Sequence, residues 1–412
     1  MSEVSESGRA WIITWLLAVF MLINFLDKIV LGLVAVPMMD ELGLTPKQFG
    51  DVGSGFFWLF AIGGVLGGFL ANHLKAGALI TGMVLIWSVS QLPIGYTASI
   101  SVIIICRAVL GAAQGPAWPV AVHALYKWFP NDRRNLPISI VAQGSTVGMV
   151  AAGILIPLIS ATWGWRANFV ALAVIGCLWA LIWLAVAEEG EEDNEDAGAD
   201  SVTLSYAHLL FDRSVLGCAI THFVGYWSLA LTLTWLPAYF QRGLGFGGIA
   251  SGWLYSSVVA LMIPLGIGLA WGSEHLLKRG IPSKTARGRY LSALLMVAGT
   301  LFAVLYADVP EWLRIGLIAI ALGCTPIVYS LGPAVLAEVV PVPQRGSMLA
   351  IINSVASLAG IAAPVVTGAL IQNVPGARGF ELGFALCGAL MVAGGLLGLW
   401  MIDPGRSVRY AT

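Results

Sequence analysis

An aspartate and a lysine stand side by side inside the first long apolar run of this sequence. The stretch INFLDKIVL, residues 23 to 31, places Asp27 and Lys28 among side chains as apolar as lipid. A charge at the centre of a bilayer costs roughly 2.5 to 3.5 kcal/mol on insertion scales, so such residues are rare and mark a pathway or a ligand site. Asp27 is therefore predicted to bind and release a proton. The alternative is that it only neutralises Lys28 or caps a broken helix.

Lys28 is predicted to bind the carboxylate of a substrate. It shares one helix face with Asn24, four residues earlier, whereas Asp27 lies about 100° away from Lys28 around the helix. An ammonium group attracts an anion as a point charge, without the two-pronged geometry of arginine. The competing interpretation is that the side chain only reaches toward the membrane surface.

A second polar stripe follows in the fourth apolar run, where Arg107, Gly111 and Gln114 recur at intervals of four and three residues. Arg107 is expected to pair with Asp27 or with an anion, because a buried charge without a function is costly. The amide of Gln114 can hydrogen-bond a substrate but cannot carry a proton. Simple packing through Gly111 remains the alternative for this stripe.

Further polar residues inside the apolar runs complete the candidate set. Glycines surround Gln143 and could equally form a seam between helices, and the polar residues near position 354 could be hydrogen-bonded links between helices. Aromatic residues near helix ends are more often interfacial anchors, which is the interpretation for Trp235 and Tyr239. His222 is expected to be a packing residue. The remaining substrate-binding candidates are Gln143, Tyr226, Asn353, Ser354 and Ser357.

Metal, cofactor and enzyme chemistry find no support in the sequence. The five histidines show no metal spacing, and the five cysteines fall singly in apolar segments. No nucleotide-binding loop, nucleophile motif or pair of catalytic carboxylates is present. We therefore expect no enzyme activity and no cofactor, with the proton as the only coupling ion.

These residues must be positioned by membrane-spanning helices. The chain of 412 residues is 58% hydrophobic and only 10% charged, whereas a soluble protein has roughly a quarter of charged residues. Its net charge of -1 argues against a nucleic-acid partner. Segments of the length that crosses a bilayer predict twelve spans, the ninth at about residues 287–307. The bilayer is thus the expected environment of an all-α membrane protein.

The distribution of basic residues predicts the orientation of the spans. With twelve spans both chain termini lie on one side, and that side carries fourteen lysines and arginines against five on the other. The positive-inside rule places both termini in the cytoplasm of a multi-pass protein of the cell membrane, which is the inner membrane in a Gram-negative source.

An acidic stretch, EEGEEDNEDAGAD, divides the spans into two sets of six. Its acids cannot lie in lipid, and it lacks the apolar residues needed to fold. We predict an N-terminal six-helix bundle at 1–187, an acidic cytoplasmic linker at 188–213 and a C-terminal six-helix bundle at 214–412. The halves echo each other, because GPA at 115–117 recurs at 332–334, and Pro130 and Arg134 recur as Pro341 and Arg345. Such weak internal symmetry is typical of two-repeat transporters.

Three motifs carry a resemblance to a known family. NFLDK at 24–28 is similar to a first-helix Asn-Tyr-x-Asp-Arg, RAVLGAAQGPAWP at 107–119 resembles a fourth-helix Arg-x-x-x-Gly-x-x-Glu, and WFPNDRR at 128–134 matches the Trp-Phe-Pro segment before helix 5. Together with the six-plus-six arrangement, they resemble the major facilitator superfamily over the whole chain, and within it the anion:cation symporters. The resemblance implies two pseudo-symmetric bundles, a monomer and transport of an organic anion. It also implies that Ser145, by position in helix 5, touches the substrate.

Two departures from the family pattern bear on the mechanism. Gln114 stands where these symporters commonly have an acid, and Lys28 stands where they have arginine. The resemblance and the residues together predict a proton-coupled symporter that imports a small mono- or dicarboxylate by alternating access. The replacement at Gln114 leaves open a proton-independent exchanger or facilitator, and a non-transporting membrane receptor is the alternative of another class.

Overall fold

The computed structural model describes residues 2–71, 73–129, 133–186 and 204–407, and every regular element in these ranges is helical. The helices before the acidic stretch are α1 Ser2–Leu33, α2 Ala35–Leu42, α3 Pro46–Ala71, α4 Ala76–Tyr96, α5 Ile100–Gln114, α6 Ala117–Tyr126, α7 Asn135–Trp163 and α8 Arg166–Val186. Those after it are α9 Tyr206–Leu210, α10 Arg213–Thr234, α11 Leu236–Ala238, α12 Gly248–Lys278, α13 Tyr290–Val304, α14 Glu311–Cys324, α15 Ile327–Val339, α16 Arg345–Asn373, α17 Ala377–Met401 and α18 Pro404–Ser407.

The helices fall on the twelve predicted spans. Within the described ranges, eleven helical segments are long and apolar enough to cross a membrane. The ninth predicted span is α13, whose 15 residues are too few to meet that length by themselves. A π-helical turn at Lys284–Arg289 runs directly into α13 and extends the helical segment toward the basic loop.

Four spans are interrupted, and the interruptions occur at matching places in the two halves. The first span breaks at Val34 between α1 and α2, and the seventh breaks at Trp235 between α10 and α11. Pro37 and Pro237 follow these breaks. A proline within a helix removes one backbone donor, so the carbonyl oxygen four residues earlier loses its helical partner. The breaks are therefore encoded locally by the prolines.

The fourth and tenth spans also break at prolines, and this corrects one predicted correspondence. Pro116 precedes α6 and Pro326 precedes α15, an offset of 210 residues. The helix that follows in each half begins at Asn135 and at Arg345, which is the same offset. The second GPA copy instead places Pro333 inside α15. The two GPA copies are thus not equivalent positions, because Pro116 lies at a helix break whereas Pro333 lies inside a helix.

The described chain forms two compact units. The first holds the described residues up to 186 together with 233–241 and 245–256, and within it α1 packs on α7, α3 on α5 and α4 on α8. The second holds 204–232, 242–244 and 257–407, and within it α13 packs on α17. The bundle boundaries at 187 and 214 that the sequence suggests stay a prediction.

Small residues allow very close helix contacts in the first unit. A Cβ on Gly144 or Gly148 of α7 would overlap the carbonyl oxygens of Ala18 and Leu22 in α1, respectively. A Cβ on Gly111 of α5 would likewise overlap the carbonyl oxygen of Phe56 in α3. The packing interpretation therefore applies to Gly144 and Gly148 of α7 and to Gly111 of α5.

Residues 188–203, most of the predicted linker at 188–213, lie outside the described residues. Leu204, the first described residue after them, is held in place, because the side-chain amide of Gln344 accepts a hydrogen bond from the backbone N–H of Leu204 at 2.9 Å and donates one to the Leu204 carbonyl at 2.7 Å. Both residues belong to the second unit. The chain that follows the acidic stretch is thereby fixed to the start of α16.

A second buried carboxylate lies at the start of α17, and the sequence analysis did not single it out. Glu381 is 0% exposed and forms an ion pair with Arg314 of α14. Arg378, one helical turn before it, lies 3.9 Å from the other carboxylate oxygen. Glu381 is therefore a buried acid with a structural role, because the ion pair with Arg314 neutralises its charge and links two helices.

Removing this carboxylate should destabilise the second unit. We expect Glu381→Ala to lower the stability by about 3 kcal/mol, because breaking a buried pair leaves an uncompensated charge on Arg314. Glu311→Ala, at the exposed first turn of α14, is the matched control. Thermal unfolding of the two purified variants checks this expectation, and equal midpoints would contradict it.

Candidate functional site

Asp27 is fully buried in α1, and two side-chain amides hold its carboxylate. Nε2 of Gln91 in α4 donates to Oδ1 at 2.5 Å, and Nε2 of Gln114 in α5 donates to Oδ2 at 3.3 Å. Each carboxylate oxygen thus accepts a hydrogen bond from a neutral group on a different helix. The structure joins the first and fourth spans here through Gln114, whereas the sequence predicted that Arg107 pairs with Asp27 or an anion and that Gln114 binds the substrate.

Arg107 reaches the same place but contacts the backbone. Its Nη1 donates to the carbonyl oxygen of Asp27 at 3.3 Å, and its guanidinium lies 5.1 Å from the centre of the Phe56 ring. Among the described ion pairs, none joins Arg107 to the Asp27 carboxylate. The side chain is only 3% exposed. Its guanidinium therefore lies beside the backbone of Asp27 and does not occupy the carboxylate oxygens.

The ammonium group of Lys28 stands over aromatic rings and forms no ion pair with Asp27. Its ammonium lies 4.3 Å from the centre of the Phe25 ring and 5.4 Å from that of Phe60, and the residue is half-buried. Within the described part of the chain, no carboxylate lies within ion-pair distance of it. Asp27 and Lys28 are thus adjacent in sequence without forming an ion pair, and the alternative that Asp27 neutralises Lys28 stays untested.

Several buried polar atoms around Asp27 have no hydrogen-bond partner among the described residues. They are both side-chain polar atoms of Asn24, Nε of Arg107, and the carbonyl oxygens of Gln91 and Gln114. A buried donor or acceptor that stays unpaired costs about 1–3 kcal/mol, so proteins rarely keep several in one place. This concentration of unused polar atoms marks the region as a candidate binding site rather than a packed core.

The candidates on α7 lie elsewhere in the first unit. Gln143 is exposed and Ser145 is half-buried, on either side of the Gly144 contact with α1. No hydrogen bond of the described chain joins Gln143 or Ser145 to Asp27, Lys28 or Arg107. Their assignment to the substrate site therefore stays a prediction.

The candidates of the C-terminal half belong to the second unit. Tyr226 is buried in α10, whereas Asn353 of α16 is exposed and Ser354 is half-buried. Ser357 is buried, and its hydroxyl donates to the carbonyl oxygen of Ser354 at 2.7 Å. That bond lies within one helix, so it does not link neighbouring helices.

Trp235, Tyr239 and His222 are all buried. Trp235 and Tyr239 are both 0% exposed, so the expectation that they anchor the membrane interface is wrong. Trp235 instead packs edge-on against Phe49, with ring centres 5.2 Å apart. His222 packs edge-on against Tyr329, and Nδ1 lies 3.1 Å from the Cys218 carbonyl oxygen, in agreement with a packing role.

Gln91 is the residue that sequence reasoning missed. It is fully buried and makes the shortest contact with Asp27, yet its neighbours in the third span are apolar or small. The available signal was an amide in the middle of an apolar run, two residues before Pro93. That signal is weaker than a charge and does not indicate which helix it faces.

A separate cavity of about 560 Å³ lies in the first unit and contains none of the predicted site residues. Its lining combines the end of α1 with α2, the end of α7 and the start of α12. Asp40, Ser160 and Gln241 are its polar lining residues.

Comparisons with known proteins agree with this architecture. The family model described as Major Facilitator Superfamily matches residues 16–285, which is more than half of the chain. This chain belongs to the major facilitator superfamily. The resemblance inferred from the three motifs and the fold with twelve helices in two bundles are confirmed.

Curated relatives of this superfamily member are anion transporters. The chain is 25% identical to a probable sulfoacetate transporter of Cupriavidus necator over 93% of this chain and 91% of the relative. It is 27% identical to the hexuronate transporter of Bacillus subtilis over 93% and 92%. It is 24% identical to the D-galactonate transporter of Escherichia coli O6:H1 over 99% of both chains.

Solved structures share the fold of this superfamily member. A bacterial homologue of the human lysosomal transporter Spinster, in an inward-facing conformation, superimposes with a TM-score of 0.81 at 16% identity and 98% coverage of both chains. A D-xylose–proton symporter superimposes with a TM-score of 0.77 at 14% identity, covering 96% of this chain and 98% of that one. The protein is a multi-pass membrane transporter of small molecules rather than an enzyme.

Proposed function

We propose that this transporter is a proton-coupled symporter that imports a small organic anion, a mono- or dicarboxylate. It does so by alternating access in the cell membrane, with both termini in the cytoplasm. Asp27 carries the coupling proton and Lys28 binds the substrate carboxylate. The anion transporters among the relatives support the substrate class.

One observation carries this proposal: Asp27 and Lys28 are neighbours in α1, yet they form no ion pair with each other and their charged groups contact different partners. Amides hold the carboxylate of Asp27, while the ammonium of Lys28 stands over the Phe25 and Phe60 rings. An acid without a salt bridge can gain and lose a proton, and an ammonium without a protein acceptor can take a carboxylate. A symporter must bind the proton and the anion at the same time, and separate groups for the two ligands allow this. Coupling then arises because the two conformational states bind the ligands with different affinities.

The second candidate function is anion exchange without proton coupling. Gln114 favours it, because the amide at this position contacts Asp27 but cannot titrate. On this reading Asp27 stays ionised and only shapes the site. A receptor that binds the anion without moving it is the third candidate.

Transport by the purified protein in liposomes separates these functions. We expect an inward proton gradient to drive accumulation of a carboxylate chosen from a panel of mono- and dicarboxylates by thermal-shift screening, because a specific ligand stabilises the native state. Counterflow that is independent of pH, with no gradient-driven accumulation, would support the exchanger. Binding without any flux would support the receptor.

A further inference from the structure

Two glutamines from different helices hold opposite oxygens of the Asp27 carboxylate. Gln91 of α4 is 0% exposed and Gln114 of α5 is 1% exposed, and each donates its amide nitrogen to one oxygen. The carbonyl oxygens of both amides are buried and have no partner among the described residues. Each amide thus uses its donor and leaves its acceptor unused.

We propose that Gln91 and Gln114 form an amide clamp that keeps Asp27 in one position in both its charged and its neutral state, and that Gln91 is a positioning residue for proton coupling. The clamp rests on the proposed function, in which Asp27 carries the coupling proton. It concerns a residue outside the motifs that suggested that function.

The chemistry of the two groups explains the clamp. An ionised carboxylate only accepts hydrogen bonds, whereas a protonated carboxyl group has one O–H donor. An amide carries a donor and an acceptor in nearly the same shape, so a half-turn about its last bond exchanges them. When a proton binds to Oδ1 of Asp27, the amide of Gln91 turns and its carbonyl oxygen accepts the new O–H. The number of hydrogen bonds to Asp27 stays the same, and Gln114 continues to donate to Oδ2.

The charged surroundings leave this role to the amides. The charges that act on Asp27 are Arg107 and Lys28. Arg107 donates to the backbone of Asp27, and Lys28 stands over aromatic rings, so neither occupies the carboxylate oxygens. Among the helices packed against α1, α7 carries no charged side chain and α11 none. The titratable groups of the others form no hydrogen bond or ion pair with Asp27 in the described chain; they are Asp40 and Glu41 of α2, His123 and Tyr126 of α6, and Arg166 and Cys177 of α8.

Gln91 holds one of the two carboxylate oxygens. Among the described residues it is the donor to Oδ1 of Asp27, whereas Gln114 donates to Oδ2. Gln91 also reaches Asp27 from α4, a helix that contributes no other side chain to the carboxylate. Its loss would free Oδ1 to adopt other positions and leave the protonated form without an acceptor at that oxygen.

The test compares Gln91→Leu with wild type in liposomes. We expect gradient-driven accumulation to fall about tenfold, because a hydrogen bond to a charged group is lost. Counterflow of labelled against unlabelled substrate without a gradient should stay within about threefold, because Lys28 still binds the anion. Ser90→Ala is the matched control on the same helix, since its hydroxyl donates only to the Trp87 carbonyl oxygen. It should leave both activities unchanged.

Infrared difference spectroscopy supplies a readout that a purely structural role would not move. The carbonyl band of protonated Asp27 is identified by its absence in Asp27→Asn. It should shift in frequency in Gln91→Leu and remain in place in Ser90→Ala. If Gln91→Leu does not fold, Gln91→Asn is measured in the same way, because it keeps an amide that is one methylene too short to reach.

The outcomes separate the clamp from the proposed function. Wild-type accumulation and an unshifted carboxyl band in the Gln91 variant, together with loss of accumulation in Asp27→Asn, would overturn the clamp alone. Accumulation by Asp27→Asn equal to wild type would overturn the proton site itself, and the clamp with it.

Discussion

Asp27→Asn should abolish accumulation of substrate driven by an inward proton gradient. Asparagine keeps the size of the side chain but cannot bind a proton, and the glutamine amide that faces its NH2 group has to turn to present its carbonyl oxygen. Because Gln114 cannot titrate either, we expect at most one proton per cycle through this pathway in the wild type, so a monocarboxylate moves without net charge. In the variant the gradient no longer biases either binding step, and accumulation falls to equilibrium with the outside concentration.

Exchange of labelled for unlabelled substrate should survive in the same variant, because exchange needs only a binding site that reaches both faces. The measurement is uptake with and without a pH gradient in liposomes of matched protein content. Asp51→Asn, the same substitution in α3 at a half-buried position, should behave as wild type. Normal gradient-driven accumulation by Asp27→Asn would remove Asp27 as the coupling site and leave the exchanger as the better explanation.

Lys28→Gln is expected to weaken carboxylate binding by about tenfold to a hundredfold. A charged hydrogen bond to the substrate is worth about 1.5–3 kcal/mol, and a neutral amide cannot replace the attraction between opposite charges. Lys28→Arg should keep binding, since arginine is also a cation, with selectivity changed by its planar fork. The binding constant follows from titration of the purified protein with the best carboxylate of the panel.

Lys47→Gln controls for the loss of one positive charge, because Lys47 is exposed at the start of α3. Binding by Lys28→Gln as tight as wild type would show that the anion site lies elsewhere. Loss of binding in both lysine variants would point to the overall charge of the protein rather than to a local site.

The sequence was a good guide to whatever follows from a single helix. Hydropathy placed the twelve spans, and helical periodicity put Arg107 and Gln114 on one face, which the structure brings to Asp27. The carboxylate and the amide lie 87 residues apart, and the sequence predicted that these two spans meet through Arg107 rather than through Gln114. Costly residues in lipid are informative because few arrangements can accommodate them.

The parts that the sequence could not supply depend on which helix faces which. Gln91 is uncharged, so its residue type does not distinguish it in the sequence. It becomes a site residue only through its hydrogen bond to Asp27, which lies 64 residues earlier in the chain. Nothing in the sequence around Glu381 predicts its partner, whereas the structure pairs it with Arg314, 67 residues earlier in the chain. Trp235 resembled an interfacial aromatic residue, but a neighbouring helix covers it. Single-helix patterns do not contain these pairings.

The break in the seventh span gives the first unit a contact that separates easily. Pro237 leaves the Leu233 carbonyl oxygen without its helical donor, and this oxygen lies against Gly32 of α1, where a Cβ would overlap it. Among the described residues, no backbone hydrogen bond joins Gly32 to Leu233, so the two backbones touch without one having to break when they part. A close contact that holds no hydrogen bond separates at the cost of surface contact alone.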